Sequence, residues 1–299
     1  MPMSERSCPI RPDGRTDDSH PRFSVVIPAY NEAELLGSCL DSLLAQDFRD
    51  SYEIIVVDNN STDATADVAR SRGVTVVHEP EPGVCPARQC GTTAARGEII
   101  VSTDADTTFA SDWLSRIDRA FRDDPARVAV AGPCRFADPP WWGRIYTAVL
   151  FTVVSIVARL TGRILYVTAT NIAFRKSEWP GYDTEATQGG DELGLLRRLR
   201  SRGSVAFVLS NPTFTSSRRL HRGLAYNIVV SCLYYYLLGY ALNRLTGRQV
   251  VGMAPAIRAT PACHGTVRRK VQEVASLSFG VAFCVIFGDL ALHLVEAAW

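Results

Sequence analysis

Residues 23–63 read FSVVIPAYNEAELLGSCLDSLLAQDFRDSYEIIVVDNNSTD, and the fold is decided in this stretch. FSVVIP, from Phe23 to Pro28, is a short β-branched run without polar alternation, the pattern of a strand buried on both faces. Leu35, Leu36, Cys39, Leu40, Leu43 and Leu44 then recur at helical spacing and predict an amphipathic helix over Glu34–Gln46, with Asn31 as its N-cap. EIIVVD, from Glu53 to Asp58, is a second buried strand. Two apolar strands joined through an amphipathic helix make a βαβ unit, so the strands lie parallel.

The same alternation continues outward. Helices are predicted over Ser61–Arg72, Pro86–Arg96 and Ser111–Arg122, with strands at Val74–His78, Glu98–Asp104 and Val128–Gly132 between and after them. The expected fold is a doubly wound, mostly parallel α/β sheet with helices on both faces. In such sheets ligands bind beyond the carboxyl ends of the strands. Three segments lie immediately after strands, Pro28–Glu32, Asp58–Asp63 and Asp104–Asp106, and the carboxylates gather in them.

Asp104-Ala105-Asp106 is the sharpest of the three. Alternation along an extended chain puts both carboxylates on one side, where two hard oxygen donors share a divalent cation such as Mg²⁺ or Mn²⁺. Such an ion takes its remaining ligands from water and phosphate, and it neutralises charge on a departing diphosphate. A second acidic element, Gly189-Gly190-Asp191-Glu192-Leu193, precedes an Arg-rich helix predicted over Leu195–Arg202.

The blocks SVVIPAYNEAELLGSCLDSLL, EIIVVDNNSTDAT and GEIIVSTDAD, in that order and spacing, resemble the family 2 glycosyltransferases of the GT-A fold, over about residues 23–219. The resemblance implies an inverting enzyme that moves sugar from a UDP- or GDP-linked donor. It places Pro28, Ala29, Tyr30 and Glu32 along the nucleoside pocket and Asp58 against the base. It puts Arg88 towards the nucleotide or its phosphates, and Asp104 and Asp106 on the metal, Asp106 as the more direct ligand. Many relatives carry ARN where this chain has Arg88-Gln89-Cys90. Asp191 or Glu192 is the catalytic base, the order of acid types being swapped relative to the family. Asn171, in TNIAFRK, falls on the acceptor side. Arg218 or Arg219, in TSSRR, closes the diphosphate site as a planar phosphate clamp. The QxxRW motif of processive synthases is absent there, which argues against long-polymer synthesis.

Three apolar segments stand apart from the soluble pattern. Trp141–Leu160 is headed by two tryptophans and bracketed by Arg144 and Arg159, with too few residues between the arginines to cross a layer of about 30 Å, so it reads as interfacial. Leu224–Leu242 carries Asn227 and four tyrosines; Ala275–Val295 follows Arg268-Arg269-Lys270. The expected organisation is a disordered tail over 1–22, a catalytic domain over 23–220 with 141–160 as an interfacial insertion, and membrane-associating helices over 221–299. The expected acceptor is a lipid or lipid-linked glycan at a membrane surface, with a polyprenyl phosphate as the alternative.

The chain has 299 residues and a formal net charge of +1, which gives no reason to expect nucleic acid as a partner. Its eight cysteines form no CxxC and no zinc spacing, so they read as free thiols in a reducing compartment. No apolar leader opens the chain, and the active domain is expected in the cytoplasm. A nicotinamide-type oxidoreductase is disfavoured because no GxGxxG follows the first strand. A nucleotidyltransferase is disfavoured because PAYNE is not a Gly-rich phosphate loop. A non-catalytic nucleotide-sugar-binding protein would share the scaffold, but every expected acidic position is filled.

Overall fold

The computed structural model describes residues 20–183 and 192–224, together with Tyr226, Asn227, Tyr234, Leu242 and Val250. The chain folds in the order β1 (Phe23–Ala29), α1 (Ala33–Leu44), β2 (Tyr52–Asp58), α2 (Thr65–Ser71), β3 (Thr75–His78), α3 (Val84–Ala94) and β4 (Ile99–Ser102). Then come β5 (Thr107–Thr108), α4 (Trp113–Arg122), β6 (Arg127–Ala131), β7 (Cys134–Ala137) and α5 (Trp141–Thr161). The last are β8 (Ile172–Arg175), α6 (Glu192–Arg200), β9 (Ser204–Phe207) and β10 (Thr213–Ser216). Most of the Leu224–Leu242 segment, and all of Ala275–Val295, lie outside the described residues, as do residues 1–19 and Asp191.

A seven-stranded sheet runs in the order β3-β2-β1-β4-β8-β6-β9. β3, β2, β1 and β4 are mutually parallel, and β8 is antiparallel to both of its neighbours. Side-chain alternation divides this sheet between two cores. Val25, Ile27, Ile54, Val56, Ile99 and Val101 face one side with Leu36, Leu40, Trp113 and Phe121 from α1 and α4. Val26, Ile55, Val57 and Ile100 face the other with Ala87 of α3, Val154 of α5 and Leu195 and Leu199 of α6. Both faces are covered, which is why the strands read as unbroken apolar runs.

A second sheet of three strands, β5-β10-β7, lies apart from the first. Thr215 of β10 pairs with Thr107 of β5, one residue after Asp106. This small sheet joins the acidic strand tip to the segment that ends in Arg218.

Two local expectations are corrected. Asn31 does not cap α1: it adopts a left-handed φ of 53°, and the N-cap is Glu32, without a side-chain cap bond. The amides at that helix entry find oxygens in the neighbouring loop instead. Asn31, Glu32 and Ala33 N–H donate to Ser61 Oγ (3.1 Å), Thr65 Oγ1 (2.9 Å) and Asp63 Oδ2 (3.2 Å). Order also begins before Phe23. Pro21 is buried, and Arg22, placed in the tail by the sequence, bonds Asp118 Oδ1 at 2.8 Å and Glu98 Oε2 at 2.5 Å.

α5 is one helix of 21 residues, about 31 Å long, extending beyond both Arg144 and Arg159. By length and composition it is long and apolar enough to cross a membrane. It nevertheless lies along the domain with Trp142, Thr147, Phe151, Val154 and Ser155 buried, while Ile145, Val149, Val153, Ile156 and Leu160 are exposed.

Candidate active site

The parallel register fixes where the strand tips fall. Ala29 is opposite Asp58, and Val26 is opposite Ser102, so β2, β1 and β4 end side by side with β1 in the middle. At about 4.8 Å per strand spacing, the tips of β2 and β4 are about 10 Å apart. The β1 and β2 tips are tied by Asn59 N–H to Ala29 O (2.9 Å) and by Thr62 N–H to Asn31 Oδ1 (2.7 Å). The Asp58 carboxylate accepts Ser61 N–H at 3.1 Å within its own loop. Ala29 is buried, whereas the Tyr30 ring is nearly half exposed beside these tips.

Two arginines organise the acids. Arg88 comes from α3, which presses against the sheet at Gly91. A Cβ added there would meet Val57 Cγ2 at 2.7 Å and would also collide with Val26, so only glycine permits this approach. Arg88, three residues earlier, is 1% exposed. Its guanidinium forks: Nη2 donates to Asp104 Oδ1 at 2.6 Å, and Nη1 donates to Glu192 Oε1. Burial alone would lower the Arg88 pKa, but Glu192 and Asp104 outweigh it and raise it, so the residue is a permanent cation. Burial raises the Asp104 carboxyl above its ordinary value; Arg88 opposes that rise and Asp106 adds to it.

Arg218 performs the matching task from the end of β10. Its Nη2 lies 3.0 Å from both Glu32 Oε2 and Asp106 Oδ2. Thr215 Oγ1 donates to Asp106 Oδ1 at 3.2 Å, so both oxygens of that carboxylate are oriented by the second sheet. Burial works against the charge on Arg218, and Glu32 and Asp106 more than restore it.

The structure therefore joins Glu32, Arg88, Asp104, Asp106, Glu192 and Arg218 into one linked group, with Asp58 and Tyr30 on adjacent tips. Glu32 faces Arg218, and Arg88 faces two carboxylates. Arg219 adjoins the group through the chain, and its carbonyl accepts Asn227 Nδ2 at 3.0 Å. Asn171, predicted on the acceptor side, is 3% exposed with its amide committed to the fold. It accepts Trp113 Nε1–H at 3.2 Å and donates to the carbonyls of Pro133 (3.0 Å) and Asn211 (2.7 Å). Sequence reasoning missed the Arg88–Glu192 pair, because 104 residues separate the partners. It also missed Thr215, whose only signal was its place at the head of the basic TSSRR run.

A mostly parallel, doubly wound sheet, with acids at adjacent strand tips and a DxD braced by a small second sheet, defines the GT-A class. The chain belongs to glycosyl transferase family 2: that family model matches residues 24–178, or 155 of the 299. The chain is 34% identical over 103 residues to the glycosyltransferase AglE of Haloferax volcanii, covering 32% of this chain and 34% of that protein. It is 36% identical over 130 residues to an uncharacterized glycosyltransferase of Mycobacterium tuberculosis, covering 42% and 56%. The matched region thus spans a third to just over half of these relatives. A mannosyltransferase of Pyrobaculum calidifontis, solved with GDP-Man and Mn²⁺, shares the fold at a TM-score of 0.59 and 23% identity, over 94% of this chain and 81% of that one. Glucosyl-3-phosphoglycerate synthase of Mycobacterium tuberculosis, solved with Mn²⁺, UDP-glucose and phosphoglyceric acid, does so at 0.51 and 22%, over 68% and 74%.

Proposed function

We propose that this protein is an inverting glycosyltransferase, moving sugar from a UDP- or GDP-linked donor to a lipid or lipid-linked glycan with the help of a divalent cation. The observation that carries the reading is the bridge made by Arg88, which ties a DxD carboxylate to the candidate base, Glu192, through one buried guanidinium. The structural neighbours solved with GDP-Man and with UDP-glucose, both with Mn²⁺, support the donor class and the cation.

The charge of the cluster fits a divalent cation. Counted ionised, four carboxylates (Glu32, Asp104, Asp106, Glu192) meet two guanidiniums (Arg88, Arg218), leaving two negative charges uncompensated. Among the described residues no three His, Cys, Asp or Glu side chains close a metal cage. Asp104 and Asp106 would hold the ion, leaving its other positions to diphosphate and water, as an open site requires. Bound there, Mg²⁺ or Mn²⁺ supplies Lewis acidity for the leaving diphosphate.

The chain's own residues do the rest. Asp58 and Tyr30 line the nucleoside side. Arg218 exchanges its carboxylate partners for diphosphate oxygens, which present the same paired acceptors to its fork. Arg88 donates to Glu192 and fixes the position of that candidate base. The acceptor oxygen attacks the anomeric carbon from the face opposite the diphosphate. Its proton passes to Glu192 or to Asp191, and the glycosidic electron pair leaves with the diphosphate. The exposed apolar face of α5 and its arginines support attachment of the domain to a membrane, on the cytoplasmic side.

The test is a donor screen on purified full-length protein with Mg²⁺ and Mn²⁺, following release of nucleoside diphosphate. Metal-dependent turnover of a UDP- or GDP-sugar is expected, and it should fall at least a hundredfold in Asp106→Ala, the scale of losing one preorganised electrostatic contact. No turnover with any donor would remove the reading. Asp191→Asn with Glu192→Gln then separates acceptors. Activity is lost with a hydroxyl acceptor but kept with a lipid phosphate, whose oxygen is already ionised.

A further inference from the structure

A cavity of about 540 Å³ lies between α5 and the second sheet. It falls within the range of about 300–1,000 Å³ usual for ligand sites. Cys134, Phe136, Phe151, Leu209 and Phe214 give it an apolar lining. Thr147 and Thr152 also line it, but their hydroxyls already donate to the helix carbonyls of Gly143 (3.0 Å) and Ala148 (2.7 Å).

Charge at its edge is of one prevailing sign. Arg135 and Arg144 line the cavity, are exposed, and have no ion-pair partner among the described residues; Asp138 is the single acid beside them. Helix geometry connects this edge to the outer surface. Arg144, Ala148 and Thr152 succeed one another every four residues along the cavity. The next row, Ile145, Val149 and Val153, is 50–58% exposed and apolar. From Trp141 to Arg163 the chain holds arginines at 144, 159 and 163 and no acid. The cavity adjoins the acids: Phe214 lines it, Thr215, one Cα step of about 3.8 Å away, orients Asp106, and Cys134, also in the lining, feels the charge of Asp104 and Asp106.

We propose that this cavity is the acceptor subsite, taking one hydrocarbon chain of a lipid acceptor that carries a phosphate, with that anionic group between Arg135 and Arg144. The lipid enters from the layer against which the Ile145–Val149–Val153 row rests, without crossing water. The assignment rests on the glycosyl-transfer reading for its meaning as an acceptor site, but its binding chemistry stands on the cavity alone.

The test uses the full-length chain in amphipol, with dodecyl phosphate as the probe and calorimetry as the readout; metal-dependent donor hydrolysis is followed separately. Dodecyl phosphate should bind, with dodecanol and inorganic phosphate each at least tenfold weaker. Ala148→Trp, which fills the cavity from an exposed helix position, and the pair Arg135→Ala with Arg144→Ala should each weaken binding at least tenfold. Donor hydrolysis should be unchanged in all of them. Binding that survives both variants overturns the proposal, and so does inorganic phosphate binding as tightly as the lipid phosphate. Failure of dodecyl phosphate to bind also overturns it; a crosslink from Ala148→Cys into residues 225–299 would then identify the chain's own C-terminal segment as the occupant. Intact lipid binding with no donor turnover would instead refute the transferase reading and leave the cavity a lipid site.

Discussion

Arg88 bears more of the site than any other side chain. It is buried and charged, and it pairs with both the DxD strand tip and α6. Removing it leaves two carboxylates facing each other without a cation, and breaking a buried ionic group in this way costs about 3–5 kcal/mol. Arg88→Ala should therefore lower the unfolding free energy measured by urea titration by that much, and Arg88→Lys by less, since lysine keeps the charge but not the planar fork. An Ala variant as stable as the parent would show that the bridge does not hold the two elements together. Asp63 offers a milder test. Burial pushes its pKa up, but bonds from Thr65 (3.0 Å from its N–H) and Ala33 (3.2 Å) leave it below the ordinary value. A lowered folded-state pKa stabilises above the unfolded value of about 3.9 and loses that effect as pH falls through the folded one. Asp63→Asn should lower Tm at pH 7, and the difference from the parent should close in acid. A difference that persists at low pH would mean the carboxylate charge is not what ties the β1 and β2 tips.

At the scale of elements, α3 is positioned by an absence of side chain. Gly91→Ala pushes a methyl group into Val26 and Val57, an overpacking worth about 1–3 kcal/mol. Thermal melting should show the loss, and donor turnover should fall with it because Arg88 rides on the same helix; unchanged Tm and turnover would mean that α3 shifts outward freely. Within residues 23–131 the helices and the strands of the seven-stranded sheet were legible in the sequence, because strands buried on both faces are short and apolar and their helices carry apolar residues at regular spacing. The second sheet was not legible. β5 is two residues long, and β10 and β7 are paired across 79 residues, so neither periodicity nor local propensity marks them. The α1 entry was misjudged for a similar reason: its amides are satisfied by Ser61, Asp63 and Thr65 from another loop rather than by a local cap.

For the whole molecule, the acids at the strand tips could be read before the structure, since a parallel sheet gathers whatever follows its strands. The ion pairs that link them could not, because Glu32 and Arg218 are 186 residues apart and meet only when β10 returns beside β5. α5 gives the domain an outward face of apolar residues and arginines. Full-length protein should float with vesicles containing phosphatidylglycerol, less with neutral ones, and less again in high salt, where charges beyond a few ångströms are screened. Equal flotation with neutral vesicles at every salt concentration would remove the arginines from the account.

The central claim is that Asp104 and Asp106 hold a divalent cation together with the diphosphate of a donor. Electron paramagnetic resonance of Mn²⁺ titrated into full-length protein, with and without UDP or GDP, tests it most directly. Bound Mn²⁺ should increase at least tenfold in affinity when the nucleoside diphosphate is present, and that increase should vanish in Asp106→Ala. Mn²⁺ binding that ignores both the nucleotide and the substitution would contradict the account.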